Sequence, residues 1–257
     1  MDSSVSIEGL DLFRDVLRNF QPPSGPFDTA GYWRHTYHLY TVANGDIPVP
    51  PVRGTLQIER VPQSAGGVIL NINYEKTSRY AGVHTLVAKV TCAGDALATP
   101  LKWTSTYTAA PPAHPLKMSL EQQGSGLVSD GALIIRQGAV RKTIALPLAY
   151  TSNWALFDVV QRLKPPGDGA LRFTLLDDDA VKSDQVLAYC QTAALKNCWP
   201  GAPDVRVRGF LQIGDGTTPQ TYWVDDRGEL LFLSTGLNVF VLDTAASRVR
   251  PTQGGRS

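Results

Sequence analysis

From Val52 onward apolar residues recur at every second position, and this period constrains the fold more than any other feature of the chain. In Val52 to Val61, Leu56 and Ile58 share one face, while Arg53, Thr55, Gln57 and Glu59 share the other. Val68, Leu70, Ile72 and Tyr74 oppose Asn71 and Asn73. Leu86, Ala88, Val90 and Cys92 continue the pattern, followed by Leu101, Trp103 and Tyr107. Gly, Pro, Asn or Asp bounds each run, the punctuation of strands in an antiparallel meander. A hairpin region is expected from Leu116 to Leu148, with turns at Gly124 to Gly126 and at Ser129 to Gly131. Strands then resume at Leu171 to Leu176, Gln185 to Cys190, Val205 to Ile213, Thr221 to Val224, Leu230 to Leu233 and Leu237 to Leu242. The segments IGDGTTP and VDDRGE between the later runs read as hairpin turns.

Two stretches depart from this period. Leu10, Phe13, Leu17 and Phe20 line one side of an amphipathic helix that Ser6 can cap and Pro22-Pro23 stops. Trp154, Phe157, Val160 and Leu163 line a second, which Ser152 or Asn153 can cap and Pro165-Pro166-Gly167 ends. The order is therefore helix, about six to seven strands, helix, about five to six strands. It predicts a mainly β fold with two helices: a large curled antiparallel sheet, or open half-barrel, with both helices on its concave side. Sheets of that size curl because twist accumulates. Two packed sheets are the alternative. Residues 1–243 are expected to form a single β-rich domain, and the polar stretch 244–257 a flexible tail.

Charge excludes some partners. Lys plus Arg number 24 against 23 Asp plus Glu, a net charge of +1, so no basic stripe is available for nucleic acid. No apolar run reaches the roughly 20 residues of a membrane-spanning helix. The opening MDSSVSIEGLDLF has neither a basic n-region nor an apolar h-region. The protein is expected to be periplasmic or extracytoplasmic if a signal peptide has been removed, and cytoplasmic otherwise. Three cysteines, Cys92, Cys190 and Cys198, contain no C-x-x-C pair, so no structural zinc site is expected; no other metal and no cofactor is assigned. Cys190 and Cys198 could clasp a loop in an oxidising compartment, or remain thiols.

Chemistry is concentrated in GYWRHTYHLY, Gly31 to Tyr40. On a strand, Trp33, His35, Tyr37 and Leu39 share one face, and Arg34, Thr36, His38 and Tyr40 the other, so the two histidines cannot share a metal. His35 and Tyr37 are the candidate acid/base pair, in an aromatic setting that could also grip a sugar. Elsewhere His84 and His114 read as ordinary residues, and Asp177-Asp178-Asp179 and Asp225-Asp226 as turn residues without calcium-loop spacing. No phosphate loop, nucleophile elbow or zinc-protease motif is present. If helices only partly fill a curled sheet, an apolar groove is left, with Trp33, His35, Tyr37, Trp103, Tyr107 and Trp223 as candidate ligand contacts and Leu56 and Leu70 as lining.

The helix LDLFRDVLRNF, the strand YWRHTYHLY and the closing segment YWVDDRGELLFLSTGLNVFVLD together resemble the periplasmic half-barrel proteins, which include the lipoprotein-localisation carriers and related uncharacterised bacterial envelope proteins. The resemblance implies an open, incomplete barrel that binds a lipid-like or other hydrophobic molecule in the envelope, with no catalytic residues to carry over. The chain departs from that group in showing no signal peptide and no lipidation cysteine near its start. Three functions stand against one another: a carrier with an apolar groove; a carbohydrate-active lyase or hydrolase using His35 and Tyr37, with Arg34 or an Asp on the sugar carboxylate; and a pocketless partner-binding module.

Overall fold

The computed structural model describes residues 14–17, 20–41, 52–78, 82–110, 119–164, 169–177, 180–195, 204–236 and 238–249. After a single helical turn, α1 (Arg14–Leu17), come β1 (Trp33–Thr41), β2 (Val52–Pro62), β3 (Val68–Ser78), β4 (Gly82–Cys92), β5 (Pro100–Ala110), β6 (Leu120–Ser129), β7 (Ala132–Gln137), β8 (Val140–Ala145) and β9 (Tyr150–Ser152). Helix α2 (Leu156–Arg162) follows. The chain ends in β10 (Leu171–Asp177), β11 (Ala180–Leu195), β12 (Val205–Ile213), β13 (Gln220–Asp225), β14 (Leu230–Thr235), β15 (Asn238–Leu242) and β16 (Arg248–Val249).

All the strands belong to one sheet, in the order β8-β7-β6-β5-β4-β3-β2-β1-β15-β14-β13-β12-β11-β10-β9, with β16 also paired to β1. The meander runs outward from β1 on one flank and returns to it on the other, where Tyr37 pairs with Leu242. Neighbours are antiparallel except β9 and β10, which are parallel and joined through α2. A parallel pair needs a crossover, and the helix provides it.

The two sheet ends meet through side chains. Leu133 and Ile135 of β7 cluster with Tyr150 of β9 and Leu176 of β10. The Tyr150 hydroxyl donates to Pro100 O at 3.1 Å, and the Thr151 hydroxyl to Leu97 O at 2.7 Å. The β9–β10 end thus lies against the concave side of β5 and β7, and the sheet is rolled rather than split in two.

GYWRHTYHLY enters β1 at Trp33, and from there it alternates as its sequence requires: Trp33, His35, Tyr37 and Leu39 are buried, while Arg34, Thr36, His38 and Tyr40 are partly exposed. The buried face meets α2, where the Phe157 ring packs edge-on to Tyr37 with centroids 5.6 Å apart. Leu156, Phe157, Asp158, Val159, Val160 and Gln161 are all buried, so α2 is a plug rather than a lid. Each of its large apolar side chains contributes about 1.5–3 kcal/mol by leaving water. Neither expected cap residue is the N-cap, which is Ala155; Ser152 Oγ instead accepts the Ala155 amide at 3.1 Å.

Three further expectations change. Of the two packed helices, the described residues show one, α2, with the four-residue turn α1 near the start. Phe20, expected inside the first helix, lies beyond it and closes the turn through its amide to Leu17 O at 3.0 Å. Its ring packs on Phe232, 4.8 Å between centroids. By strand alternation Phe232 faces away from Leu233 and Tyr222, the side that touches α2, so this segment covers the convex face. Second, Gly124 to Gly126 is not a turn but the middle of β6; the turn is Asp130-Gly131, both at positive φ. Third, the tail does not begin at Thr244: Asp243 O and Oδ1 cap a turn, and Arg248–Val249 pair with β1. Residues 250–257 lie outside the described part, as do most of the predicted first helix, His114, Asp178, Asp179, Cys198 and Pro165 to Gly167.

Candidate functional site

Register carries the inward face of β1 across the sheet. His35 pairs with Ile58, Ile58 with Ile72, Ile72 with Ala88, Ala88 with Ser105, Ser105 with Gly124 and Gly124 with Gln137. On either side run the rows Tyr74, Leu86, Tyr107, Gln122 and Val90, Trp103, Gly126, Ile135. Near β1 these rows lie beneath α2 and are fully packed. From β3 to β7 they become smaller, through Ala88, Ser105 and the two glycines. A Cβ at Gly126 would stand 2.0 Å from Trp103 Cζ2, so only glycine lets the indole lie against β6.

A cavity of about 470 Å³ opens between this part of the sheet and the corner leading into α2, where Ser152, Asn153 and Trp154 line it. The volume falls within the range of small-molecule sites. Its inner end is apolar: Val90, Trp103, Pro100, Ile135 and Leu176. Its side is aromatic, with Tyr74 6.3 Å from Trp154 and 6.5 Å from Phe240, centroid to centroid. Its outer end is polar. The Tyr107 hydroxyl lies 2.5 Å from His84 Nδ1, beside Gln122 and Tyr74. Burial, with Tyr107 beside it, pushes the Tyr74 phenol up to about 12, so it is neutral and able to donate a hydrogen bond at neutral pH.

The structure divides the sequence-predicted site residues among three places. Trp103 and Tyr107 line the cavity. Trp33, His35 and Tyr37 are on the same face of the sheet, but fully buried in the plugged half. There His35 stacks between Phe27 and Trp33, with centroids at 5.5 and 4.6 Å. Its Nδ1 lies 3.2 Å from the Tyr37 hydroxyl, which donates to Leu230 O. Its Nε2 lies 3.2 Å from Glu229 Oε1 without hydrogen-bond alignment. Trp223 is on the opposite face, against Gly209 and the exposed Cys190. Leu56 and Leu70 are packed core.

Asp225 holds the β13–β14 turn by accepting the amides of Arg227 and Glu229, and Asp177 pairs with Lys182 at 2.6 Å. The candidate groups that sequence reading missed are His84, Tyr74 and Trp154. His84 looked isolated because Tyr107 is 23 residues away, and only the β4–β5 register unites them. The local signal for the cavity was the pair of glycines in β6, which read as a turn.

No family model matches the chain, and no curated protein matches its sequence. Among solved structures it is similar to a β-barrel-like protein of a domain of unknown function, DUF1849, from Brucella abortus. The TM-score is 0.56 at 12% identity, over 86% of this chain and 98% of that one. At that identity the likeness shows the fold alone. The fold is that of a bacterial β-barrel-like protein, and the likeness does not single out the lipoprotein-localisation carriers. No described helix is long and apolar enough to cross a membrane.

Proposed function

We propose that the protein binds a lipid-like or other hydrophobic small molecule in the concave cavity, with Trp103 and Tyr107 of the expected contacts, joined by Tyr74 and Trp154, on its wall. The observation that supports this is the uneven filling of the roll: α2 plugs the half against β1, while small residues on β4 to β6 leave the other half hollow. Trp33, His35, Tyr37 and Trp223 serve the packed scaffold instead. An extracytoplasmic location accompanies this reading through the resemblance to envelope half-barrels. Binding is favoured over glycoside hydrolysis, which ordinarily uses paired carboxylates. None of the described residues on the cavity wall is Asp or Glu.

Ala88 is on the cavity wall, and Ala88→Phe would push a ring into the cavity and obstruct it. Saturating dodecanol should raise the melting temperature of the parent protein, since a ligand at one hundred times its Kd adds about 2.7 kcal/mol. The obstructed variant should show a clearly smaller shift. An equal shift in both proteins would place the ligand elsewhere.

A further inference from the structure

The outermost row of the cavity face has a chemistry that the apolar wall does not explain. One step outward from Tyr74, Leu86, Tyr107 and Gln122, the register places Lys76 opposite His84, and His84 opposite Ala109. Residues directly opposite on one face have Cβ atoms about 4.5–5.5 Å apart, so the Lys76 and His84 side chains leave the sheet together. His84 also holds the Tyr107 hydroxyl. The acidic neighbours take the alternate positions: Glu75, beside Lys76, and Glu121, beside Gln122, lie on the other face and are exposed. Among the described residues Lys76 belongs to no ion pair.

The lip therefore offers an ammonium, an imidazole, a phenol and an amide, with no carboxylate on the same rows. Below it, four residues along β5 from Tyr107 to Trp103, about 13 Å at the rise of a strand, the wall turns apolar.

Resting on the cavity-binding reading above, we propose that the ligand is an anionic single-chain amphiphile, a long-chain carboxylate, bound with its head at Lys76, His84 and Tyr107 and its tail toward Trp103 and Ile135. A carboxylate only accepts hydrogen bonds; Lys76 and Gln122 can donate to it, and the His84–Tyr107 pair has one further proton to donate whichever way its internal bond runs. Charge-assisted bonds of this kind are roughly twice as strong as neutral ones. A neutral chain would forgo them, and a cationic one would meet Lys76 head-on.

Titration calorimetry at neutral pH and low salt would compare dodecanoate, dodecanol and dodecyltrimethylammonium on the full chain. Dodecanoate should bind at least about tenfold more tightly than dodecanol, the scale of one charge-assisted contact, and the cation most weakly. Lys76→Glu should lower dodecanoate affinity by about tenfold or more and leave dodecanol unchanged. Tyr107→Phe, which keeps the ring, should weaken dodecanoate selectively by a smaller factor. Melting curves of the variants confirm that they fold. Equal affinity for dodecanoate and dodecanol, or an indifferent Lys76→Glu, overturns the head assignment while the cavity reading stands. Failure of all three probes to bind overturns both.

Discussion

At the residue scale, the buried phenols and thiol set how the protein responds to alkali. Burial is the first cause in each case. It pushes the Cys92 thiol from 9.0 up to about 12, with Asp158 and Asp95 adding to it, and Tyr74 from 10.0 up to about 12. Tyr37 is raised well above 10.0 by burial and then by Glu229. In this window the unfolded chain releases these protons before the native state does. It therefore holds fewer protons, and stability falls with rising pH. The contribution is complete below pH 9.0 and is lost progressively toward about 12. Urea midpoints should be flat up to that onset and then decline; a rise from pH 9 to 11 would contradict this. Tyr37→Phe should cost about 1–3 kcal/mol at neutral pH by removing the donor to Leu230 O. It should also make the alkaline decline shallower. The inward direction of Tyr37 was legible from alternation alone. Its enclosure was not, because Phe157 and Leu230 reach it from more than a hundred residues away.

At the element scale, α2 is held by one carboxylate. Asp158 accepts Arg60 Nε at 2.5 Å and Arg162 Nε at 2.9 Å. Arg60 also donates to Ala30 O and Gly31 O, and Arg162 to Asp95 O, so this cluster ties the helix to β2, the approach to β1 and the β4–β5 loop. Removing one partner of a buried pair leaves uncompensated charge, at a cost of about 3–5 kcal/mol. Asp158→Ala should lose that much in urea unfolding, whereas a loss near zero would mean that α2 docks by its apolar residues alone. Helix and strands were readable from period: β2 coincides with the alternating run from Val52 to Val61, and β4 contains the one from Leu86 to Cys92. Three-residue β9 was not, since a parallel partner across a helix leaves no local pattern. The glycines of β6 misled for a related reason. Gly124 and Gly126 are needed not for a turn but for clearance beneath Ser105 and Trp103, and clearance depends on the neighbouring strand.

At the scale of the whole molecule, a rolled sheet of this length encloses more space than one short helix fills. The curl followed from strand count and twist, so the open-barrel outline was accessible from sequence. Which half of the roll stays hollow was not, because it depends on α2 lying against β1 while β9 and β10 close the far edge. Trp103 and Trp154 are on the cavity wall, whereas Trp33 and Trp223 are enclosed in packed core. Tryptophan quenching by dodecanoate brominated near its methyl end can therefore locate a bound chain. Quenching in the parent protein that falls in Trp103→Phe, largely disappears when Trp154→Phe is added to it, and persists in Trp223→Phe, is the predicted result. Quenching that survives the Trp103→Phe/Trp154→Phe double substitution unchanged would contradict a ligand tail in the cavity.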